Sequence, residues 1–415
     1  MRGGSAGRSA ELAPPRTARN YDGVTTVLAT WELGRALGHV AHLAPLARGL
    51  ARRGIATALA ARDLITAARV ADRPFARILQ APLYQRPEPR TPTLTYAGAI
   101  ADAGMADVDA ATVLVAAWLQ LFDGVRPDGI VAEFAPASLL AAHVAGLRAA
   151  RVAPSWAAPP ATTPLPSAMP WRPDDPAGRA AADAPVDAVV VAVCRRFGAP
   201  VLGGLAALLA GAPRFLCTWP ESDHYGASVD ARYYGPMTGL GARSRPAWPA
   251  GDGPRVFVYL PGDHAGAAPL AVALTALGWP AIWHGSPLPA VNAPNIHVAA
   301  VAVDTVHVLG EAAVCAGRGG HATGCEAMRQ GCPQLIIPDT LEVGLLGWRL
   351  EGQRLARLLP GAPTVAEVRA GLEFVAGDPG VAAAVRAAAT RYASYDAAAA
   401  EDALARDVAT ALDLR

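Results

Sequence analysis

The residues best suited to chemistry lie between positions 315 and 338, in the sequence CAGRGGHATGCEAMRQGCPQLIIP. A glycine-rich turn at 317–322 runs directly into a helix pattern. Thr323 and Glu326 have the spacing of a capping box, which predicts a helix that begins at Thr323 and ends near Gly331. The residues QLIIP then indicate a short buried strand. Because unpaired N–H groups at a helix start attract anions, the stretch predicts a seat for a phosphate or pyrophosphate.

The elements that position this seat occur in the same order in both halves of the chain. Residues 24–29 indicate a buried strand, followed by a loop, a helix that closes near Gly54 and a second strand. After a Gly- and Pro-rich stretch at 235–254, the same order begins again at residue 255. This order predicts an α/β protein with two Rossmann-like domains. The glycines lack the G-x-G-x-x-G spacing, so the dinucleotide fingerprint is not met.

Length and composition fit a globular protein with two cores. At 415 residues the chain is too long for one ordinary core. Its 52% hydrophobic and 17% charged residues exclude a disordered protein. The expected organisation is a disordered tail at 1–22, a first domain at 23–234, a linker at 235–254, a second domain at 255–396 and a last helix at 397–415.

Charge and cysteine content limit the partners and the compartment. There is no lysine, all 36 basic residues are arginine, and the net charge of +1 gives no reason to expect nucleic acid or an anionic membrane. Five cysteines without a C-x-x-C pair indicate free thiols in the reducing cytoplasm. The apolar run at 197–213 is interrupted by Gly and Pro, so no stable membrane insertion is expected. The nine histidines form no H-x-H or H-E-x-x-H pattern, and no metal site is expected.

The stretch at 315–338 resembles the donor-binding signature of nucleotide-sugar-dependent glycosyltransferases with the GT-B architecture, the family 1 group of macrolide, glycopeptide and UDP-glucuronosyl transferases. That signature is roughly H-G-G-x-G-T-x-x-E-A-x-x-x-G-x-P, followed by P-x-x-x-(D/E)-Q. The chain has RGGHATGCEAMRQGCP and then PDTLEV. Arg318 stands in place of the family histidine, Val343 in place of the glutamine and Ala322 in place of the last glycine of the turn. The resemblance implies two Rossmann-like domains facing across a cleft, with the last helix crossing back to the first domain.

The same family has a matching pattern near its N-terminus, G-H-(V)-x-x-x-x-x-L-A-x-x-L-x-x-R-G, in which the histidine deprotonates the acceptor hydroxyl. Here the matching residue is His39, and a neutral imidazole suits that task. The alternative is a histidine that caps the helix start; His42 is interpreted as structural. Glu133, at the end of a predicted buried strand, matches the acid that pairs with this histidine in some members. A strand-end carboxylate bonded to a helix N-terminus is an equal alternative for Glu133.

In the second domain the resemblance implies that the glycine turn and the helix start hold the donor. Arg318 either binds the diphosphate through its planar, permanently charged group or turns away into a salt bridge. Glu326 either caps its own helix or accepts hydrogen bonds from the ribose hydroxyls. Glu342 would meet the sugar hydroxyls, and Val343, lacking an amide, suggests a deoxysugar donor. The donor-binding set is Val303 near the nucleobase, Arg318, Gly319, Gly320, His321, Ala322, Thr323, Glu326 and Glu342, and Gly262 is expected to approach the phosphates closely.

The implied activity is an inverting transfer of a sugar from a UDP- or dTDP-linked donor to a small-molecule hydroxyl acceptor, without metal or cofactor. The Pro- and Gly-rich stretch at 80–112 is interpreted as a long loop that crosses into a helix and forms an acceptor wall. The stretch at 154–185 is predicted to lack regular structure and is either a second acceptor-lining loop or a solvated connection. Asp107-Val108-Asp109 is a D-x-D string, but acids at a helix start suit the helix dipole. Asp223 and His224 follow the predicted last strand of the first domain and are interpreted as a hydrogen-bonded turn.

Three other functions stay open. A catalytically silent member that binds a nucleotide sugar or a partner enzyme would explain the altered signature. A nucleotide-sugar 2-epimerase fits the His39 loop less well, and a dinucleotide oxidoreductase lacks its fingerprint. A homodimer is possible, and the sequence does not indicate the acceptor.

Overall fold

Two parallel β-sheets form the framework of the protein. The computed structural model describes residues 23–34, 38–69, 74–84, 93–229, 231–237 and 244–414; the tail predicted at 1–22 lies outside these ranges. The first sheet has the order β3-β2-β1-β4-β5-β6-β7 and the second has the order β10-β9-β8-β11-β12-β13, which confirms the predicted fold class. The strands of the first sheet are β1 (Thr26–Trp31), β2 (Ala56–Ala61), β3 (Arg77–Gln80), β4 (Gly129–Glu133), β5 (Ala149–Ala153), β6 (Arg214–Leu216) and β7 (Arg232–Tyr233). Those of the second sheet are β8 (Val256–Tyr259), β9 (Ala281–His284), β10 (Ile296–Val298), β11 (Val314–Gly317), β12 (Gln334–Ile336) and β13 (Ala356–Leu358).

Helices cover both faces of each sheet. In both domains the first strand lies between two neighbours reached by opposite crossovers, so a crevice opens at the carboxyl ends of the strands. The helices of the first domain are α1 (Gly38–Ala51), α2 (Leu64–Ala68), α3 (Tyr96–Ile100), α4 (Val108–Val125), α5 (Pro136–Val144), α6 (Pro176–Arg196) and α7 (Leu205–Ala210). Those that follow are α8 (Ala267–Leu277), α9 (Thr305–Glu311), α10 (His321–Arg329), α11 (Leu341–Gly352), α12 (Val365–Gly377), α13 (Pro379–Tyr392) and α14 (Ala397–Ala411).

Helix α4 supplies much of the first core. Asp107 caps it by accepting hydrogen bonds from the N–H groups of Asp109 and Ala110, which confirms the structural interpretation of the D-x-D string. By length and composition α4, rather than the stretch at 197–213, is the described segment nearest to a membrane span. Its Trp118 and Phe122 are nevertheless buried in the core of the first domain, as in a core helix.

Two expectations about the first domain are wrong. Helix α6 begins at Pro176, inside the stretch 154–185 that the sequence predicts to lack regular structure; proline is tolerated in the first turn of a helix because its missing N–H is not needed there. The strand at 214–216 is not the last one, since a two-residue strand at 232–233 pairs beside it.

The final helix, α14, packs against α1. Glu401 forms ion pairs with both Arg48 and Arg52, with N–O distances of 3.2 and 2.7 Å. Leu404 and Val408 are fully buried in the same core as the apolar face of α1. The C-terminal end of the chain therefore stabilises the helix that carries His39.

Candidate active site

His39 and Glu133 meet at the carboxyl ends of β1 and β4. His39 is the second residue of α1, and Glu133 is the last residue of β4. The Nδ1 atom of His39 lies 2.9 and 3.0 Å from the two carboxylate oxygens of Glu133. The carboxylate is fully buried, and 16% of the histidine side chain is exposed. Because a carboxylate only accepts, Nδ1 carries the proton and Nε2 keeps its lone pair.

A second histidine on the same helix contacts this carboxylate. The Nε2 atom of His42 lies 3.3 Å from Oε1 of Glu133. Burial lowers the pKa of His42, so this imidazole stays neutral and donates. Burial also lowers the pKa of His39, but the charge and hydrogen bond of Glu133 outweigh it, and the net shift is upward. One carboxylate therefore orients two histidines, only one of which is partly exposed.

The sequence leaves open that Glu133 is bonded to a helix N-terminus, but in the structure another acid, Glu32, has that role. Glu32, just after β1, accepts hydrogen bonds from the N–H groups of Ala137 and Ser138 at 3.1 and 2.6 Å, at the start of α5. Burial raises the pKa of Glu32 to about 8. The sequence analysis missed this residue, although an acid directly after the first strand was a usable signal.

Gly34, which follows β1, lies close to His39. Gly34 has φ of +79°, and a Cβ atom built there would lie 2.0 Å from Nε2 of His39. The imidazole also stacks on Trp31, with ring centroids 5.6 Å apart and an interplanar angle of 18°. Glycine at position 34 and tryptophan at position 31 therefore fix the plane of the imidazole.

The glycine turn of the second domain leads into α10 two residues earlier than predicted. The helix begins at His321 with Gly320 as its N-cap, not at Thr323, and no side chain caps it. Gly319 has φ of +82°, which turns the chain so that helical geometry starts at once. The helix ends at Arg329, and Gly331 terminates it with φ of +70°, as predicted. The uncapped start keeps its N–H groups available for an anion.

Glu326 does not cap this helix. Its carboxylate forms two hydrogen bonds with Arg329, at 3.1 and 2.7 Å, and a third with Gln330 at 2.7 Å. The capping-box interpretation is therefore wrong, because the side chain pairs along the helix instead of reaching back to Thr323. A ribose hydroxyl would have to share a carboxylate that already accepts three hydrogen bonds.

Arg318 lies beside a cavity of about 780 Å³ at the carboxyl ends of β8, β11 and β12. Its Nη2 atom lies 3.2 Å from Oδ1 of Asp339, and both side chains are about one-third exposed. Asp263 also lines the cavity. The cavity therefore has one guanidinium and two carboxylates, and the guanidinium is already paired.

His264 is the donor-side residue that the sequence analysis missed. Its Nδ1 atom accepts a hydrogen bond from the N–H of Gly266 at 3.0 Å, so the neutral ring carries its proton on Nε2. That Nε2 is buried, has no hydrogen-bond partner within the described ranges, and belongs to a residue lining the same cavity. Burial lowers the pKa of His264, which favours the neutral form. Gly262, which is expected to approach the phosphates, also allows a close approach of the backbone at Leu288, whose oxygen would lie 2.5 Å from an added Cβ.

His321 connects the two domains. Its Nε2 atom lies 2.7 Å from Oγ1 of Thr218, and its ring stacks on that of His224 at 6.1 Å. His224 in turn is held through Nδ1 by Ser155 at 2.8 Å. Burial lowers the pKa of His321 to about 4 and that of His224 well below its usual range. The Asp223–His224 turn is thus part of the contact between the domains, which local sequence could not show.

The remaining predicted donor residues differ in their surroundings. Glu342, in the first turn of α11, is within electrostatic range of His39, His321 and Arg318, and burial raises its pKa. Val343 is buried, and its Cγ1 would lie 2.8 Å from a Cβ on Gly319. The Val343 side chain therefore packs against the glycine turn at Gly319. Val303 is buried in a small apolar cluster with a β-bridge to Ser244.

Within the described ranges no group of three or more His, Cys, Asp or Glu residues could hold a metal ion.

Several solved structures are similar to this protein over nearly its whole length. No protein family model matches the chain, and no curated protein matches it. The glycosyltransferase VinC, solved with dTDP, is 17% identical with a TM-score of 0.66, over 94% of this chain and 100% of its own. CalG4, the calicheamicin glycosyltransferase, is 18% identical with a TM-score of 0.67, over 94% and 98%. The spinosyn rhamnosyltransferase SpnG, complexed with thymidine diphosphate, is 18% identical with a TM-score of 0.64, over 92% and 99%.

These similarities extend over nearly the full length of both partners. At this level of identity they establish the fold and leave the activity to the site itself. The chain therefore has the two-domain GT-B fold, as the sequence predicts.

Proposed function

We propose that this protein is an enzyme, an inverting glycosyltransferase that moves a sugar from a nucleoside-diphosphate sugar to a hydroxyl group of a small-molecule natural product. The observation that carries the proposal is the contact between His39 and Glu133, 2.9 Å long and placed at the crevice of the first sheet. The bound dTDP of VinC and the thymidine diphosphate of SpnG support a dTDP-linked donor.

In the proposed reaction His39 is the general base. Its Nε2 lone pair takes the proton of the acceptor hydroxyl while Glu133 stabilises the imidazolium that forms. The acceptor oxygen forms a bond to the anomeric carbon, and the bond from that carbon to the phosphate oxygen breaks. The electron pair leaves with the nucleoside diphosphate, on the face opposite to attack, so the configuration inverts.

The second domain holds the leaving group in this proposal. The uncapped start of α10 offers backbone N–H groups, and His264, which lines the cavity beside Arg318, would offer a further N–H. Arg318 would share its guanidinium between Asp339 and the diphosphate. Glu342, which is within electrostatic range of His39 and Arg318, would accept hydrogen bonds from the hydroxyls of the sugar. Glu326 and Val303 lie on α10 and just before α9, where they would contact the nucleoside.

Calorimetric titration with dTDP, UDP and GDP tests the donor seat. We expect micromolar binding of one nucleotide by the wild-type protein, weakened about tenfold or more in Arg318→Ala through the lost charge-assisted contact and unchanged in His39→Ala. Turnover with the matching donor should then fall about 10²- to 10⁴-fold in His39→Ala.

The alternative is a silent protein that binds a nucleotide sugar or a partner without transfer. It is favoured by one observation, the ion pair that already engages Arg318. Tight nucleotide binding without loss of donor or release of nucleoside diphosphate across an acceptor panel would support this alternative. Absence of binding for all three nucleotides would contradict the transferase and would favour the form of the alternative in which the protein binds a partner enzyme. We further propose that the protein works in the cytoplasm without inserting into a membrane. Light scattering would measure its molar mass in solution and so its oligomeric state.

A further inference from the structure

A second large cavity lies in the first domain, away from the crevice between the domains. Its volume is about 500 Å³. Arg214 and Arg232, the first residues of β6 and β7, line it, whereas Glu133 is the last residue of β4 in the same parallel sheet. The cavity is therefore at the edge where the strands begin, opposite to the edge that carries the proposed active site. The donor and acceptor of the proposed reaction do not account for it.

Two arginines of this cavity lie side by side on neighbouring strands. Arg151 on β5 is in register with Arg214 on β6, so their side chains leave the same face of the sheet. Like charges at such positions repel each other. Arg151 is buried and donates to the carbonyl oxygens of Ala212 and Pro159, at 2.9 and 2.7 Å. Burial, together with the smaller effect of the charge of Arg214, lowers its pKa to about 10.

The charge of Arg214 is not compensated within the part of the chain that the structure describes. Its guanidinium forms no ion pair there, and its Nη1 atom is buried without a hydrogen-bond partner. The third arginine, Arg232, pairs with Asp407 at 3.2 Å. Asp407 also accepts a hydrogen bond from Tyr234 and pairs with Arg406. Three guanidinium groups thus line the cavity with a single carboxylate, and that carboxylate is shared.

The other walls of the cavity are largely apolar. Leu209, Pro213 and Phe215 line it together with Thr162 and Thr410. A volume of several hundred Å³ with apolar walls and a few polar groups is typical of small-molecule sites. A guanidinium without an internal partner favours a planar or tetrahedral oxyanion, to which it can donate two hydrogen bonds.

We propose that this cavity is a binding site for a small organic anion, one phosphate or carboxylate group on an apolar body, held by Arg214 with Arg151 and Arg232. The anion removes the repulsion between Arg151 and Arg214, and the apolar body contacts Leu209 and Phe215. The site acts independently of the donor seat in the second domain.

Calorimetric titration with phenyl phosphate and with benzoate tests this proposal, the two probes distinguishing a phosphate site from a carboxylate site. We expect saturable binding of at least one probe, weakened about tenfold or more in Arg214→Gln through the lost charge-assisted hydrogen bonds. Arg77→Gln is the matched control, since Arg77 is the exposed first residue of β3 in the same sheet. Arg318→Ala in the other domain should also leave this binding unchanged.

A second variant keeps the experiment decisive if Arg214→Gln fails to fold. In Ala210→Trp a large side chain at the exposed end of α7 fills the cavity while all three arginines stay in the sequence. This variant should abolish binding. Circular dichroism establishes that each variant is folded. Lack of binding of both probes by the wild-type protein would overturn the proposal. It would also be overturned by binding that survives Ala210→Trp, or by binding that Arg318→Ala removes and Arg214→Gln does not.

Discussion

At the scale of single residues, the chemistry depends on which partner each ionisable group has. Glu133 is bonded to two histidines, and this fixes the tautomer of His39. On the other side of the crevice Arg318 is bonded to Asp339, while Nε2 of His264 has no partner among the described residues. The proposed proton acceptor therefore already has its orienting partner, and the proposed anion seat has one engaged and one unengaged donor.

The first prediction concerns Glu133→Gln. In the wild-type protein Glu133 raises the pKa of His39 above its ordinary 6.5, and the base acts only when neutral, so the rate should rise with pH through this raised pKa. Without this carboxylate, burial is the largest remaining influence on His39 and outweighs the weaker charge of Glu342, so the pKa falls. The acid limb of the profile of kcat/KM against pH should move to lower pH, while the plateau drops about 10²- to 10⁴-fold. An acid limb that stays in place would show that Glu133 does not set the pKa of the base.

The second prediction concerns Asp339→Asn. The change removes a carboxylate from the cavity that would hold the diphosphate and releases Arg318 from its ion pair. We expect nucleoside-diphosphate affinity to increase about 3- to 10-fold, with the gain disappearing at high salt because the ion pair is partly exposed. Asp402→Asn is a matched control, since Asp402 pairs with Arg53 on the first domain. Weaker binding in Asp339→Asn would mean that Asp339 holds Arg318 in its binding position.

At the scale of elements, the ends of strands and helices do the positioning. Gly34, just after β1, lies close to His39. The turn between β11 and α10 ends where the helix begins, at His321. Val343 on α11 supports that turn at Gly319. The residue that departs from the glutamine of the family signature thus has a packing role. This role weakens the expectation of a deoxysugar donor, which was based on a missing amide.

The third prediction concerns Gly34→Ala. A methyl group at this position would overlap Nε2 of His39, and its backbone has φ of +79°. The imidazole must move, and because displacements of about 1 Å cost about 10²-fold in such sites, kcat should fall by that order while nucleotide binding is kept. Gly38→Ala is the control, since a Cβ at Gly38 meets nothing within 4 Å. Equal activities of the two variants would show that the loop moves away during turnover.

At the scale of the whole molecule, a segment after β6 joins the two domains. Trp219 donates to the carbonyl oxygen of Cys325 at 3.1 Å, and Arg349 donates to that of His224 at 3.0 Å. Glu221 pairs with Arg391 on α13. The stacked His224 and His321 lie within this contact, and both are neutral at physiological pH. The contact between the two domains therefore includes two uncharged imidazoles that stack on each other.

The fourth prediction follows from the lowered pKa of His321. When the domains separate, this histidine regains its ordinary pKa of 6.5, whereas in the contact its pKa is about 4. The separated state thus binds a proton first, and the contact should weaken as the pH falls from about 6.5 to about 4, by at most about 3 kcal/mol. Small-angle scattering should show an increase in the radius of gyration over this range, reduced in His321→Gln.

His297→Gln, at an exposed position on β10, is the control for this experiment and should behave like the wild-type protein. A radius of gyration that does not change between pH 7 and pH 4, in a protein that stays folded by circular dichroism, would contradict the prediction. An increase of the same size in His321→Gln would assign the effect to another group.

The sequence by itself determined that each half of the chain begins with a strand, a loop, a helix and a second strand, because those signals are local. Apolar periodicity gave the two αβ halves. The capping box that Thr364 and Glu367 form shows how local such signals are, because its partners are three residues apart. His39 and Glu133 were named as a pair from motifs 94 residues apart, and the folded sheet brings them to 2.9 Å. The glycine turn and its helix were located to within two residues.

Only the tertiary structure decided which side chains are engaged and which are not. The ion pair of Arg318, the unpartnered Nε2 of His264 and the stack of His224 on His321 join separate elements, so no local pattern predicts them. The register that sets Arg151 beside Arg214 arises from strands more than sixty residues apart in the printed sequence. A helix or a turn is fixed by near neighbours in the chain, whereas the charge balance of a cavity is fixed by every element that packs around it.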